Sequence, residues 1–177
     1  MIQNLIKNTQ DSFVHKLIKI TLGFILIFAC SQIAIPLKPV PISLQTVGVM
    51  LIALTYSMSE GIAVIVAYVF SGAIGLPVFA NFQYGLGGPT SGYLCGFIGS
   101  IYGMNKFKQK FGLQSFISII GACFIGTIIT YIFGITWLST FIGFSDAITH
   151  GLIPFIIPGI VKAMILSGGL KAIGFKR

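Results

Sequence analysis

The sequence predicts an all-α integral membrane protein, a bundle of six transmembrane helices with both termini cytoplasmic, read as one membrane domain over residues 1–177. Three observations carry that prediction. Mean hydropathy is +0.99 with 8% charged residues, and three acidic side chains cannot clothe a soluble domain of 177 residues. The apolar residues fall in runs separated by short polar or Pro- and Gly-rich breaks. The basic residues bunch at alternate ends of those runs, as the positive-inside rule requires: Lys7, Lys16 and Lys19, then Lys106, Lys108 and Lys110, then Lys171, Lys176 and Arg177. Nine of the eleven basic residues thereby fall on one side and Lys38 on the other, with Lys162 inside an apolar run. The net charge of +8 is so distributed that it argues against nucleic acid and for a lipid bilayer as the partner surface.

Residues 1–16 are polar and basic, with Ile2, Leu5, Ile6 and Phe13 at helical spacing, which predicts an amphipathic cytoplasmic segment. The first span is expected over 17–36. Its Ile27-Phe28-Ala29-Cys30 resembles a lipoprotein cleavage box only faintly, and further spans downstream favour retention. Three prolines within residues 36–41 forbid helix and force a stiff extended loop. Spans over 43–58 and 61–76 follow, joined by a tight turn carrying Glu60. Ala63, Ala67, Ser71 and Gly75 fall four apart, a ladder of small residues suited to a partner subunit or to packing within the bundle. The fourth span, 90–104, repeats the spacing at Gly92, Gly96 and Ser100; the fifth, 116–138, repeats it at Ala122, Gly126, Thr130 and Gly134. A segment over 139–151 holds Asp146 and His150, and the sixth span covers 152–173.

The break between the third and fourth spans is the most polar stretch of the chain. Asn81, Gln83, Tyr84, Thr90, Ser91 and Tyr93 put hydrogen-bonding side chains on backbone loosened by Gly85, Gly87, Gly88 and Gly92. In a membrane such irregular backbone is tolerated where protein buries it or a cavity wets it, so this loop reads as the lid and floor of a small-molecule site. Phe79, Phe82, Tyr84 and Tyr93 could wall an apolar ring. Lys162 lies about ten residues from either end of its span. A lysine there costs roughly 2.5–3.5 kcal/mol on insertion scales and normally faces a cavity. Snorkelling to an interface is the other reading; with no acidic residue at similar depth, the ammonium predicts an anionic or strongly hydrogen-bonding ligand, and a carboxylate would suit it. Gln45 and Asn81 offer amides that match a cyclic urea or amide, and an interhelical hydrogen bond explains Gln45 equally well. Asp146 and His150 are four apart, compatible with a proton relay or with solvated loop groups.

Nothing in the chain spells an enzyme. There is no Ser/His/Asp pattern and no metal-ligand spacing, and Gly85-Leu86-Gly87-Gly88-Pro89-Thr90 lacks the Gly-Lys-Ser/Thr ending of a phosphate loop. Cys30, Cys95 and Cys123 sit in apolar runs as packing residues.

Four motifs, in order, resemble the BioY family, the biotin-specific S components of energy-coupling-factor transporters. They are Ile35-Pro36-Leu37 with Val40-Pro41-Ile42-Ser43-Leu44-Gln45-Thr46; Gly72-Ala73-Ile74-Gly75-Leu76-Pro77-Val78-Phe79-Ala80; Gly88-Pro89-Thr90-Ser91-Gly92-Tyr93-Leu94; and Pro154-Phe155, Pro158-Gly159 and Lys162-Ala163. The resemblance implies capture of biotin as transported ligand, no cofactor, and association in a bacterial plasma membrane with a coupling membrane protein and ATPases. By position it makes Asn81 and Lys162 polar pocket residues and assigns Gln45 and residues 90–93 to motif positions. Cys30, Ala34 and the small ladder then become candidates for docking on the coupling protein. Two departures stand out: Ile160 follows Pro158-Gly159 where the family usually has Asp, and the stretch between Ala80 and Gly88 is shorter than usual. Two other classes remain beside this one, a ligand-free membrane scaffold and a stand-alone carrier using Asp146, His150 or Lys162.

Overall fold

The computed structural model describes the backbone of residues 2–175 and the side chains of residues 13–175. The chain runs α1 (Ile2–Gln32), β1 (Ala34–Ile35), β2 (Ile42–Ser43), α2 (Gln45–Thr55), α3 (Met58–Ala73), α4 (Ser91–Phe111), α5 (Phe116–Ile142), α6 (Phe144–Gly151) and α7 (Ile153–Ala172). A single 3-10 turn, Ala80–Phe82, interrupts the loop between α3 and α4.

Helix α1 runs without a break through the expected amphipathic segment and into the first span, then stops at Gln32 rather than at residue 36. The side chains of residues 1–12, and Lys176 and Arg177 entirely, lie outside the described residues. Beyond Gln32 the chain turns extended and forms a two-residue antiparallel ladder, Ala34 opposite Ser43 and Ile35 opposite Ile42. The prolines between them supply no amide donors, which is why the ladder goes no further.

The second and third predicted spans are shorter than expected. Helix α2 has 11 residues and α3 has 16. At 1.5 Å per residue these reach roughly 16 and 24 Å, against about 30 Å of hydrocarbon. Ser57 starts α3 with a capping box closed by Glu60, whose carboxylate also takes the Lys19 ammonium at 3.3 Å. Among the described residues three stretches are long and apolar enough to cross a membrane: Phe13–Gln32, Phe116–Ile142 and Phe144–Ala172. The last is broken at Leu152 into α6 and α7, so the predicted loop over 139–151 is largely helix. Pro154 sits in the first turn of α7, where a missing N–H is harmless. Helix α4 has the length, 21 residues, but its last turns carry Lys106, Lys108 and Lys110.

The two small-residue stripes read on the fourth and fifth spans meet one another. A Cβ on Gly96 would stand 3.0 Å from the Thr130 Cα, and one on Gly92 would overlap the Trp137 side chain. In return Gly126 receives Met104 and Gly134 receives the Tyr93 ring. Backbones this close allow the Ser100 hydroxyl to reach both Thr130 Oγ1, at 2.7 Å, and the Gly126 carbonyl, at 2.6 Å. The ladder on α3 behaves differently. The buried face of α3 is Gly61, Val64, Ile65, Tyr68, Val69 and Gly72, leaving Ala63, Ala67 and Ser71 half-buried on its flank and Gly75 exposed. Cys30 packs against Gly48 of α2 and the Ala34 backbone lies in the ladder with Ser43, and both residues are half-buried like the α3 flank.

The outer surface is apolar. Leu22 and Ile25 on α1, Ile117 and Ile128 on α5, and Ile157 and Ile165 on α7 are all more than half exposed. A belt of that kind on several helices is stable against hydrocarbon and not against water, which makes this a membrane protein.

Candidate ligand chamber

Between the proline loop, the polar loop and the inner faces of α2, α4, α5 and α7 lies a cavity of about 690 Å³. That falls within the ~300–1,000 Å³ of small-molecule sites. Helical phase decides which residues face it. From α7, Phe155, Gly159 and Lys162 line the cavity, spaced four and three apart on one stripe. Ile160 is 38% exposed and lies off that stripe. The departure at position 160 therefore changes the outer face of α7, and the residue one turn before Lys162 that borders the cavity is Gly159.

The Lys162 ammonium donates to the Ser43 carbonyl at 2.6 Å and to Thr46 Oγ1 at 3.4 Å. These groups are available because β2 ends at Ser43 and α2 begins at Gln45, so the first turn of a short helix meets the middle of α7. An ammonium has three donors, and these two acceptors leave one of them for a guest. Among the described residues the only ion pair is Lys19–Glu60, so none of their carboxylates neutralises Lys162.

Gln45 is 8% exposed at the N-terminus of α2 and also lines the cavity. Its Nε2 donates to the Tyr68 hydroxyl at 2.7 Å, and its Oε1 accepts from Ser43 Oγ at 2.9 Å. The amide thus makes the interhelical bond that was its alternative reading, while one N–H and one lone pair stay uncommitted. Tyr68 passes the connection on, donating to the Val78 carbonyl at 2.9 Å.

Asn81 borders the cavity from the 3-10 turn, with left-handed backbone at φ 57°, and Phe82 follows at φ 58°. Two successive non-glycine residues there cost roughly 1–2 kcal/mol each. The turn is held by Phe79 N–H to the Gln83 carbonyl at 2.9 Å and by the side chain of Gln32, which accepts from Phe82 N–H at 3.1 Å and donates to the Phe79 carbonyl at 3.2 Å. Phe79 is buried, its ring edge-on to Tyr68 and seated in the space that a side chain at Gly72 would fill.

Gln83, Tyr84, Thr90 and Tyr93 also line the cavity. Asn81, Gln83 and Tyr84 are exposed and form its rim. The Tyr93 hydroxyl donates to the Gly151 carbonyl at 2.9 Å and Tyr131 donates to that of Phe155 at 3.1 Å, so both tyrosines tie α4 and α5 to the α6–α7 junction. Ser91 and Gly92 do not border this cavity. The 100° step of α4 turns Thr90, Tyr93, Leu94 and Phe97 inward and sends Ser91, Gly92 and Cys95 to a separate apolar groove on the outer side, beside Trp137. Ser91 Oγ there accepts from Gly87 N–H at 2.9 Å, and Trp137 Nε1 donates to the Gly88 carbonyl at 3.0 Å, anchoring the polar loop from outside. Asp146 and His150 are exposed on α6, and His150 Nδ1 meets the Asp146 backbone carbonyl rather than its carboxylate. That geometry provides no relay.

Sequence reading missed Gln32, Ser31 and Tyr68, which hold the walls from behind. The available signal was a Ser-Gln pair closing an apolar span, where two polar side chains in succession need partners.

A membrane-embedded helical bundle around a polar chamber of this size has the architecture of a ligand-binding membrane protein. Comparison with known proteins narrows that class. A sequence profile described as "BioY family" matches residues 3–175, and the chain belongs to that family. It is 39% identical over 162 residues to the probable biotin transporter BioY of Rickettsia prowazekii, covering 90% of this chain and 83% of that protein. To the biotin transporter BioY of Thermotoga maritima it is 35% identical over 156 residues, 86% of this chain and 91% of the other. The backbone superimposes on the crystal structure of the S-component for biotin from an ECF-type ABC transporter with a TM-score of 0.76, covering 94% of this chain and 92% of that one at 23% identity. This last likeness establishes a shared fold.

Proposed function

We propose that the chain is a biotin-uptake protein, the substrate-binding S component of an energy-coupling-factor transporter in a bacterial plasma membrane, and not an enzyme. One observation carries the reading furthest: the Lys162 ammonium borders a ligand-sized chamber with two neutral acceptors and, among the described residues, no carboxylate paired to it. A guest bearing a carboxylate and a cyclic urea supplies what is missing. The carboxylate takes the free donor of Lys162, and the urea exchanges hydrogen bonds with Asn81 and the spare N–H and lone pair of Gln45. Phe79, Tyr84 and Tyr93 wall the fused rings, with Gln83 and Thr90 at the rim. Ser91 and Gly92 leave this list: Ser91 anchors the polar loop through Gly87 N–H, and Gly92 lets α4 close on α5 at Trp137.

The topology that fits is six crossings in a single membrane domain with both termini cytoplasmic. Short α2 and α3 complete their crossings through the proline loop and the polar loop, irregular backbone that lines a cavity instead of facing lipid. Energy comes from partners, a coupling membrane protein and its ATPases, because no nucleotide motif is present in the sequence. The flank of α3 at Ala63, Ala67 and Ser71 is the docking candidate that its internal packing leaves partly open. Titration calorimetry of the purified chain with biotin tests the binding step. Radiolabelled biotin uptake in cells, with and without the coupling proteins, tests the assembly. No heat with biotin sinks the first claim, and full uptake without partners sinks the second.

A further inference from the structure

We propose that Gln32, at the last turn of α1, is a positioning residue that sets the chamber's affinity for its guest by holding Asn81 in its left-handed conformation. The inference rests on the biotin reading for its affinity readout but not for its geometry. Its side-chain amide spans the turn: Oε1 takes Phe82 N–H at 3.1 Å, while Nε2 gives to the Phe79 carbonyl at 3.2 Å and to Ser31 Oγ at 2.7 Å. A carboxamide is the one uncharged group of that size that both accepts and donates at its tip. Asn81 lies between the two anchored residues, and neither it nor Phe82 is a glycine, so their positive φ persists only where neighbours over-determine it. Ser31 and Tyr68 reinforce the preceding peptide through the Val78 carbonyl, at 2.8 and 2.9 Å. Gln32 itself does not border the cavity. It acts through Asn81, so α1 sets the geometry of a site that it does not touch.

The prediction separates Gln32 from a merely structural residue by a double-mutant cycle. Gln32→Glu keeps size and acceptor but loses the donor and faces the Phe79 carbonyl with a negative charge. Gln32→Leu loses every side-chain hydrogen bond of the amide. In the wild-type background each lowers biotin affinity by about tenfold. In the Asn81→Ala background the same changes cost less than about twofold, whereas with Lys162→Ala the losses multiply. Equal losses in the wild-type and Asn81→Ala backgrounds, or no loss in either, overturn the proposal. A second readout needs no ligand. Amide hydrogen exchange over residues 79–85 of the full-length chain in nanodiscs should quicken at least tenfold in Gln32→Leu, with α4 and α5 unchanged. Unaltered exchange there overturns it as well. A wild-type chain that binds no biotin but shows the faster exchange in Gln32→Leu refutes the biotin reading and leaves the positioning intact.

Discussion

Replacing Lys162 with methionine removes the ammonium and keeps the apolar stem that packs along α7. Two consequences follow from the geometry. The Ser43 carbonyl loses a 2.6 Å donor beside the chamber, which costs stability by about 1–3 kcal/mol if nothing replaces it. The guest loses its charged partner. A hydrogen bond to a charged group contributes roughly 1.5–3 kcal/mol net, which at 1.4 kcal/mol per decade is about ten- to a hundredfold in Kd. The two effects part company when the ligand is varied. Calorimetry with biotin and with its neutral primary amide should show the wild type preferring biotin by that factor. Lys162→Met should bind both within about threefold of one another. Thermal shift without ligand reports the stability loss separately. A methionine variant that retains the wild-type preference for biotin over the amide would show that the carboxylate lies elsewhere, and the argument from the unneutralised ammonium would fail.

Gly72→Ala places a methyl group in the space of the Phe79 ring; the start of the polar loop must move, and biotin affinity should fall severalfold in calorimetry while α4–α5 packing is untouched. Gly96→Val overfills the α4–α5 seam, where a Cβ already meets the Thr130 Cα at 3.0 Å, and should lower the melting temperature in detergent in line with a loss of about 1–3 kcal/mol. Tyr68→Phe leaves the Gln45 amide without its buried acceptor, costing about 1–3 kcal/mol in stability and weakening biotin binding through Gln45; unchanged values for both would disprove that relay. Asp146→Asn should leave affinity as it is, because its exposed carboxylate is remote from the chamber lining.

What the sequence made legible was whatever composition alone can carry. A lysine in an apolar run announces a cavity because water or a partner must solvate it, and Lys162 does border one. The stripes on α4 and α5 could be read as close-packing faces, yet nothing in either stripe says that each is the other's partner. The shortness of α2 was hidden, since hydropathy stays high across residues 47–54 and the eye continues it to the next turn. Ser91 and Gly92 fall off the cavity because the polar loop ends one residue before α4 begins; from there each residue steps 100° around the helix axis, which carries these two to the outer groove and Tyr93 and Leu94 inward. Gln32 was beyond reach for another reason. Its partners Phe79 and Phe82 are 47 and 50 residues away, and a local pattern carries no record of a contact that only the finished fold creates.

The brevity of α2 has a mechanical corollary. Its first turn carries Gln45 and Thr46 at the chamber, and the whole helix, roughly 16 Å long, is filled behind them by buried Met50, Ile52, Ala53 and Leu54. Of those four only Met50 lines the chamber, so a helix of three turns, rather than a full span, is what backs the cavity on this side.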